Sequence, residues 1–454
     1  MYAMFKREIL GEFKKWSERK NRKPLIIRGA RQVGKTTAVE MFSAGFDQFL
    51  SFNLEKKEDR VIFENEYPFK DLLSTMFLSR NMSRSGGKTL VFIDEIQNSP
   101  KTVSLLRYFY EQADDLFVIA TGSLLETILN RKISFPVGRV EFMAMHPCSF
   151  REYLFAMNET KLLINLENDE VPVFAHDLLM ASFRRYATIG GMPQVLNDYS
   201  AEQNITSLSH VYEALLLSYY DDVEKYAKTA LQTQMIQHVI GNAFQGASER
   251  ITFEKFGNSA YRSREMKEAF MALEKTFLLN LVYPLTRTDF PIKPDFRKKP
   301  RLHLVDTGLV NYSSGMMGEM VFSQNINDVY RGKIAEHIVG QELRSTSHSA
   351  MFKLNFWVRD KKESTAEIDY IFPYKGLLIP VEVKSGHAGK LRSLHQFIDA
   401  APHRIAVRVW QGKPSIETAR TIAGKEFILL NLPFYMVHRI EKELGKVVAQ
   451  NAPQ

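Results

Sequence analysis

The residue types best suited to chemistry lie in a glycine-rich stretch near the start of the chain. Its spacing, G-x-x-x-x-G-K-[ST], is typical of loops that bind phosphate groups, because glycines let successive backbone N–H groups turn toward an anion at a helix N-terminus. We predict that Lys35 reaches the β- and γ-phosphates and that Thr36 binds Mg²⁺. An ordinary glycine turn with a surface lysine is the alternative. The predicted binding residues are Gly29, Ala30, Arg31, Gln32, Val33, Gly34, Lys35, Thr36 and Thr37.

A second chemical feature is the acidic pair Asp94 and Glu95, which follows the apolar run at residues 90–93. Such a run is typical of a strand in the middle of a parallel sheet, and ligands gather at the carboxyl ends of these strands. We predict that Asp94 holds Mg²⁺ and that Glu95 is the base that orients the attacking water. Without the glycine motif, an acidic pair here would be interpreted as a helix cap or a solvated turn.

The elements that must position these groups can also be predicted. Residues 24–28 form a short apolar run before the loop, and residues 36–42 have the composition of a helix. A further apolar run at residues 116–120 ends in Thr121, Gly122 and Ser123. We therefore predict a parallel sheet whose strands deliver the loop, the acidic pair and these hydroxyl groups.

Residues 24–123 resemble the AAA-type P-loop ATPases. In that family a polar residue after the third of these strands senses the γ-phosphate, which the resemblance assigns to Thr121 or Ser123. More narrowly, the chain resembles a group of bacterial and archaeal AAA-type ATP-binding proteins with a C-terminal region of unassigned function. The matching pieces are residues 29–36, 93–97, 121–123, 138–140, 190–193 and 305–308. The resemblance implies that the protein binds and hydrolyses ATP with Mg²⁺.

Arg139 has two interpretations. In a multisubunit ATPase, an arginine near the γ-phosphate can stabilise the charge of the transition state, and it often comes from a neighbouring subunit. A role at a neighbouring subunit would imply a homo-oligomer. Alternatively, Arg139 forms an ion pair within its own domain. The sequence leaves both open.

A second candidate site lies in the C-terminal third. Residues 366–373 and 377–384 alternate as two strands of a hairpin, so Glu382 and Lys384 share one face and Asp369 can lie beside them. A preceding helix supplies Glu336. These four residues resemble the signature of the metal-dependent nuclease superfamily, which implies a divalent metal with a lysine that orients water. An active nuclease, an inactive nuclease-like fold and a chance match stay open.

The middle of the chain reads mostly as helix. Ser149 and Glu152 predict a capping box at a helix start, and Gly190 and Gly191 predict a loop or a hinge. A helix at residues 264–274 followed by apolar and basic segments is the pattern of a winged helix.

We predict an α/β protein with a P-loop NTPase parallel sheet, a helical and winged-helix middle and a restriction-endonuclease-like C-terminus. The predicted domains are 1–150 (AAA-type ATPase), 151–205 (helical lid), 206–310 (winged-helix-like) and 311–454 (nuclease-like).

Composition sets further expectations. The 454 residues include one cysteine, Cys148, which excludes an internal disulfide and suits a cytoplasmic protein. The N-terminus does not resemble a signal peptide, and no run of about 18 apolar residues occurs, so we predict no membrane span. The net charge of +8 is compatible with DNA or another nucleic acid, and also with plain solubility.

The predicted function is therefore a Mg²⁺-dependent ATPase that acts as a nucleotide-driven switch, with nucleic acid as the favoured partner. Two alternatives stay open. One is a nucleotide-gated binding module with little turnover, and the other is a metal-dependent nuclease regulated by ATP.

Overall fold

The computed structural model describes residues 5–122, 136–322, 332–360, 366–384 and 391–450. Two compact units emerge from the contacts. Unit 1 runs to His146 and includes Lys275–Phe277 and Ser347–Phe352. Unit 2 comprises Pro147–Glu274, Leu278–Thr346 and the chain from Lys353 onward. The finer division into four domains stays a prediction.

Unit 1 is built on a five-stranded parallel sheet in the order β2-β3-β4-β1-β5. Every residue of β3 and β4 is buried, as expected for strands covered on both faces. Because all strands run parallel, the carboxyl ends of β1, β3 and β4 lie at one edge of the sheet. The strands are β1 (Leu25–Arg28), β2 (Gln48–Asn53), β3 (Thr89–Asp94), β4 (Phe117–Thr121) and β5 (Glu141–Ala144).

Five described helices accompany this sheet. The first buries Ile9, Phe13 and Trp16, which recur at helical spacing on one face. A core of apolar side chains from β2, β3 and the later helices includes Phe52, Val91 and Leu106. The helices are α1 (Ile9–Ser17), α2 (Lys35–Ser43), α3 (Lys57–Glu64), α4 (Phe69–Ser79) and α5 (Pro100–Gln112). The predicted parallel α/β sheet is thus confirmed for unit 1.

Unit 2 contains an eight-stranded mixed sheet in the order β12-β13-β11-β10-β9-β8-β6-β7. The predicted hairpin forms β9 and β10, which pair antiparallel and turn at Lys375 and Gly376, both with positive φ. The strands are β6 (Leu279–Leu285), β7 (Arg301–Leu304), β8 (Asn355–Val358), β9 (Glu367–Tyr374), β10 (Leu377–Val383), β11 (Ile405–Trp410), β12 (Ser415–Arg420) and β13 (Glu426–Pro433).

Strands β6 and β7 are the apolar and basic segments from which a winged helix was predicted. They form an antiparallel pair, and β6 also pairs in parallel with β8, so both belong to the same sheet as the C-terminal hairpin. The pairing satisfies backbone groups on both sides of β6, whose residues 281–285 are buried. The segment between Leu279 and Leu304 therefore extends the C-terminal sheet.

Helices make up the rest of unit 2. The predicted capping box is present, since Ser149 N donates to Glu152 Oε2 at 3.0 Å and Glu152 N donates to Ser149 Oγ at 3.3 Å. The helices are α6 (Phe150–Ala156), α7 (Thr160–Glu167), α8 (His176–Ile189), α9 (Pro193–Glu202), α10 (Ser209–Asp221), α11 (Val223–Tyr226), α12 (Ala230–Ala243), α13 (Ser263–Lys275), α14 (Thr307–Ser313), α15 (Met317–Phe322), α16 (Lys333–Ser345), α17 (Arg392–Ala400) and α18 (Ile440–Gln450). Across the described ranges, no helix has the length and apolar character needed to span a membrane.

The two glycine motifs of unit 2 meet at a buried junction. Gly191 N donates to Asp306 Oδ2 at 2.6 Å. A β-carbon on Gly190, whose φ is 77°, would lie 2.2 Å from Asp306 Oδ1, and one on Gly308 would lie 2.0 Å from Ile189 O. Burial raises the pKa of Asp306 to about 6. The glycines at 190–191 thus form a tightly packed junction rather than an open hinge.

Candidate nucleotide-binding site and a second carboxylate cluster

The glycine-rich loop joins the end of β1 to the start of α2. Two of its glycines are required by the geometry. A β-carbon on Gly29 would lie 2.2 Å from Met145 O, and Gly34 has φ 91° immediately before the helix. Such close approach and such a dihedral angle disfavour other residues. The loop therefore has the strand, turn and helix context that the motif requires.

Lys35 is the first residue of α2, and its side chain is turned into the loop. Its Nζ donates to Ala30 O at 2.8 Å and to Gly29 O at 3.1 Å, and the residue is buried. Thr36, the next residue, is exposed. The ammonium group is therefore held where a phosphate bound by the loop would meet it.

Asp94 lies beside this loop at the end of β3, and only 7% of its surface is exposed. Its Oδ2 accepts a hydrogen bond from Thr36 Oγ1 at 2.7 Å. Its Oδ1 accepts from Thr121 Oγ1 and from Glu95 N, the latter at 2.9 Å. Strand β4 lies between β1 and β3, which brings Thr121 to the carboxylate. Strand order thus joins three parts of the chain that are far apart in sequence.

These groups also fit a magnesium ion by their chemistry. Thr36 and Asp94 offer a hydroxyl and a carboxylate oxygen in direct contact, and Mg²⁺ prefers oxygen ligands. The three donors to Asp94 are neutral, so they orient the carboxylate without cancelling its charge. Thr36 and Asp94 are therefore the residues that would hold the ion.

Glu95 adopts a left-handed backbone conformation, with φ 51°. Such a conformation is uncommon for residues other than glycine and often marks a functional position. The side chain accepts a hydrogen bond from Gln97 Nε2. Burial raises the pKa of Glu95; the Gln97 amide opposes this shift, and the Asp94 carboxylate adds to it. Gln97 thus orients the predicted base and limits the rise in its pKa.

Arg7 supports the loop from behind, and sequence reasoning did not find it. Its Nη1 donates to Val33 O at 2.7 Å and its Nη2 donates to His146 O at 2.8 Å, with 6% of the residue exposed. Nothing in the spacing of a single arginine before α1 indicates this contact. The arginine ties the loop to the chain just after β5.

Arg139 and Ser123 were also predicted to act at this site. Arg139 Nε donates to Glu111 Oε1 at 2.6 Å, and the arginine side chain is 40% exposed. This is the ion pair within the domain that was one of the two interpretations of Arg139. A catalytic role at a neighbouring subunit stays a prediction. Ser123 lies outside the described residues, so Thr121 is the candidate hydroxyl whose position is known.

Comparison with known protein families agrees with the P-loop fold of unit 1. Residues 21–154 match the family model described as an AAA domain. The N-terminal domain is AAA-like. Residues 180–319 match DUF8612 and residues 331–427 match DUF4143, each described as a domain of unknown function. A search of curated proteins found no match.

Solved structures show more distant likenesses. The Walker-type ATPase paby2304 of Pyrococcus abyssi is 14% identical, with a TM-score of 0.45, and the match covers 68% of this chain and 96% of that one. PCH-2 of C. elegans is 9% identical with a TM-score of 0.26, covering 42% and 59%. The STAND protein PH0952 of Pyrococcus horikoshii, which has a tetratricopeptide repeat sensor, is 13% identical with a TM-score of 0.28, covering 76% and 46%. The strand order and the loop, not these likenesses, support the P-loop fold.

Unit 2 brings the second set of predicted site residues together. Asp369 Oδ2 accepts from Val383 N at 2.8 Å, and Lys384 Nζ lies 2.8 Å from Glu382 Oε1. Glu336 contributes from α16. We call Glu336, Glu367, Asp369 and Glu382 the carboxylate cluster. Burial, followed by the charge of Asp369, raises the pKa of both Glu336 and Glu382.

Arg301, the last residue of a basic run at residues 297–301, lies in the same place. Its Nη1 lies 3.7 Å from Glu336 Oε2, its Nη2 lies 3.7 Å from Asp369 Oδ1, and Nη2 also contacts Glu367. Among the described residues, no group of three or more His, Cys, Asp or Glu side chains is arranged to hold a metal ion. Two of the predicted residues, Glu336 and Asp369, therefore lie against a guanidinium group.

Proposed function

We propose that this protein binds ATP with Mg²⁺ in unit 1 and hydrolyses it, so that the nucleotide acts as a switch. The observation that carries the proposal is the contact between Thr36 and Asp94 beside the glycine-rich loop. A phosphate-binding loop needs a carboxylate from a neighbouring strand to hold the metal. Asp94 is that carboxylate, and it contacts Thr36, the residue directly after the lysine of the loop.

The roles of the residues follow from their positions. Backbone N–H groups of residues 30–36 and the Lys35 ammonium bind the β- and γ-phosphates. Thr36 and Asp94 hold the magnesium ion, which offsets phosphate charge. Thr121 holds Asp94 in place through its hydroxyl. In this role it positions the metal carboxylate, whereas the resemblance assigned it to sensing the γ-phosphate.

The proposed reaction is attack of water on the γ-phosphorus. Glu95 takes a proton from the water, the bond between the γ-phosphorus and the bridging oxygen breaks, and ADP and phosphate leave. Contacts between Lys35 and the γ-phosphate exist before this step and are lost after it. Such a change can shift the balance between two conformations.

One observation favours the alternative of a binding module with little turnover. Glu95 accepts a hydrogen bond from Gln97, so one carboxylate oxygen of the predicted base is already engaged. ATP would then bind and stay bound. This alternative and the ATPase share the same loop and differ only in the rate of the chemical step.

The experiment measures ATP binding by equilibrium dialysis and phosphate release on the same samples. Lys35→Ala should abolish binding, whereas Glu95→Gln should preserve binding and lower turnover by about 10² to 10⁴-fold. Lys70→Ala, an exposed lysine of α4, is the matched control and should change neither quantity. Unchanged ATP binding in Lys35→Ala would overturn the proposal. Binding without measurable turnover in the wild-type protein would favour the binding module.

Nucleic acid is the partner that we propose to test first, because the chain carries a net charge of +8. Duplex DNA should raise the rate of phosphate release, and this stimulation should weaken with added salt. A rate that does not change with DNA would exclude DNA as this partner.

We also propose a winged-helix character for the middle of the chain, a restriction-endonuclease-like fold for the C-terminus and a cytoplasmic location.

Homo-oligomer formation is proposed only in connection with Arg139. If this arginine acts at a neighbouring subunit, ATP should increase the mass measured by light scattering in the Glu95→Gln variant. Arg139→Ala should then lower the turnover of the wild-type protein without lowering ATP affinity. Equal turnover would leave Arg139 with the ion pair to Glu111 alone.

A further inference from the structure

The carboxylate cluster of unit 2 has a cation of its own. Arg301 begins β7, Glu336 lies on α16, and Glu367 and Asp369 lie on β9. The guanidinium group contacts all three acids, and only 5% of the arginine side chain is exposed. Its Nη1 also donates to Asp369 O at 3.0 Å. One buried side chain thus joins a helix and two strands.

The remaining charges of the cluster are paired as well. Lys384 Nζ lies 2.8 Å from Glu382 Oε1, and Arg250 Nη1 lies 3.4 Å from Glu367 Oε2. Each acid of the cluster therefore has a positively charged neighbour from this chain. The Arg301 guanidinium also packs 5.0 Å from the centre of the Phe356 ring, which lies on β8.

We infer that the Arg301 guanidinium takes the place of a divalent metal ion among Glu336, Glu367 and Asp369. The cluster is then an internal ion-pair core of unit 2, not a metal-dependent nuclease centre. An ion between Glu336 and Asp369 would lie next to the guanidinium and be repelled by it. Glu336 and Asp369, two acids of the nuclease-like signature, are thus paired with a residue outside that signature.

This inference explains why the resemblance and the arrangement of the acids disagree. The signature consists of Glu336, Asp369, Glu382 and Lys384, and all four meet in unit 2. A signature of carboxylates does not state which cation they hold. Here β7, which pairs with β6 in the same sheet, delivers an arginine to them. Guanidinium is planar and always charged, so it can serve several carboxylates at once.

The test measures metal binding directly. The parent protein carries Asp94→Asn, which removes the metal carboxylate of unit 1, and contains no added nucleotide. Free Mn²⁺ is followed by electron paramagnetic resonance during titration. We expect no Mn²⁺ to bind to the parent at stoichiometric concentrations. Binding of about one Mn²⁺ per chain that disappears with Asp369→Asn would overturn the inference.

A second measurement changes the arginine itself. In the same parent, Arg301→Ala frees the three acids, and Mn²⁺ should now bind and raise the melting temperature. Arg301→Lys keeps a cation, so it should bind no Mn²⁺. Arg297→Ala removes an exposed arginine of the same basic run, whose side chain is 91% exposed, and should behave like the parent. If Arg301→Ala does not fold, the parent titration with Asp369→Asn still decides the question.

Discussion

Acids in the two units of this protein face different neighbours. Asp94 in unit 1 is held by two hydroxyls and a backbone N–H, all neutral. In the carboxylate cluster of unit 2, Arg301 pairs with Glu336, Glu367 and Asp369, and Lys384 pairs with Glu382. Neutral donors orient a carboxylate and leave its charge for a ligand, whereas a guanidinium uses that charge for internal stability. The type of donor therefore separates a candidate metal site from a structural core.

The residues that contact these acids differ in exposure. Thr36, which donates a hydrogen bond to Asp94, is exposed, although Asp94 itself is buried. Arg301 is 5% exposed, and breaking a buried ion pair by removing one partner leaves the other charge unpaired. Substitutions in unit 1 should thus affect ligand binding more than folding, and the reverse should hold in unit 2.

The largest effect on stability should come from Arg301→Ala. The buried Asp369 would lose its cation, and the partly exposed Glu336 and Glu367 would lose a positively charged neighbour. The expected loss is about 3 to 5 kcal/mol of unfolding free energy, mainly from Asp369. Urea unfolding followed by circular dichroism measures it. Arg297→Ala, the exposed control, should change the free energy by less than about 0.5 kcal/mol. Equal stability of the two variants would contradict the assignment of Arg301 as a cation that stabilises unit 2.

A smaller loss is expected for Thr121→Val, which removes a hydroxyl donor from Asp94 and keeps the side-chain shape. A hydrogen bond to a charged group contributes about 1.5 to 3 kcal/mol. Thermal unfolding should show this loss. Saturating MgATP should raise the melting temperature less in Thr121→Val than in the wild-type protein. Thr75→Val, on an exposed face of α4, is the control. An equal rise in melting temperature with MgATP in both proteins would mean that Thr121 does not position the metal carboxylate.

The raised pKa of Glu382 should be visible in the pH dependence of stability. Burial and the nearby Asp369 charge raise its folded pKa to about 8, so the native state keeps a proton that the unfolded state has lost. Stability from this group is present below the ordinary carboxyl pKa and is lost as pH rises through about 8. Melting temperatures between pH 5 and pH 8.5 should fall less steeply in Glu382→Gln. An identical slope in both proteins would contradict this assignment.

The smallest effect should be a shift in a pH profile. Turnover falls as pH drops below the pKa of Glu95, because a base must be ionised. The Gln97 amide lowers that pKa by donating to the carboxylate. Gln97→Leu should therefore move the acid limb of the turnover profile to higher pH. Gln112→Leu, an exposed position at the end of α5, should leave the limb in place. A shift to lower pH would show that Gln97 does not act on Glu95.

Local pattern was sufficient for the parts of the fold that depend on neighbouring residues. The loop at residues 29–36, the buried strand before Asp94 and the capping box at Ser149 were all predicted, because each depends on dihedral preference, periodicity or spacing within a few residues. The hairpin was predicted across residues 366–384 and is observed as β9 and β10. For these elements, local pattern therefore identified both the element and the acids at its end.

Which charged side chains contact each other depends on contacts between distant parts of the chain. Arg7 and Val33 are 26 positions apart, and Arg301 and Asp369 are 68 positions apart, so no local pattern joins them. Arg301 follows two exposed or half-buried lysines and has the sequence context of a solvated patch, yet the pairing of β7 with β6 buries it among acids. Strand pairing is a long-range property, and the electrostatic neighbours of a buried side chain follow from it. That is why the same acidic residues could be predicted as a metal site and are found around a guanidinium.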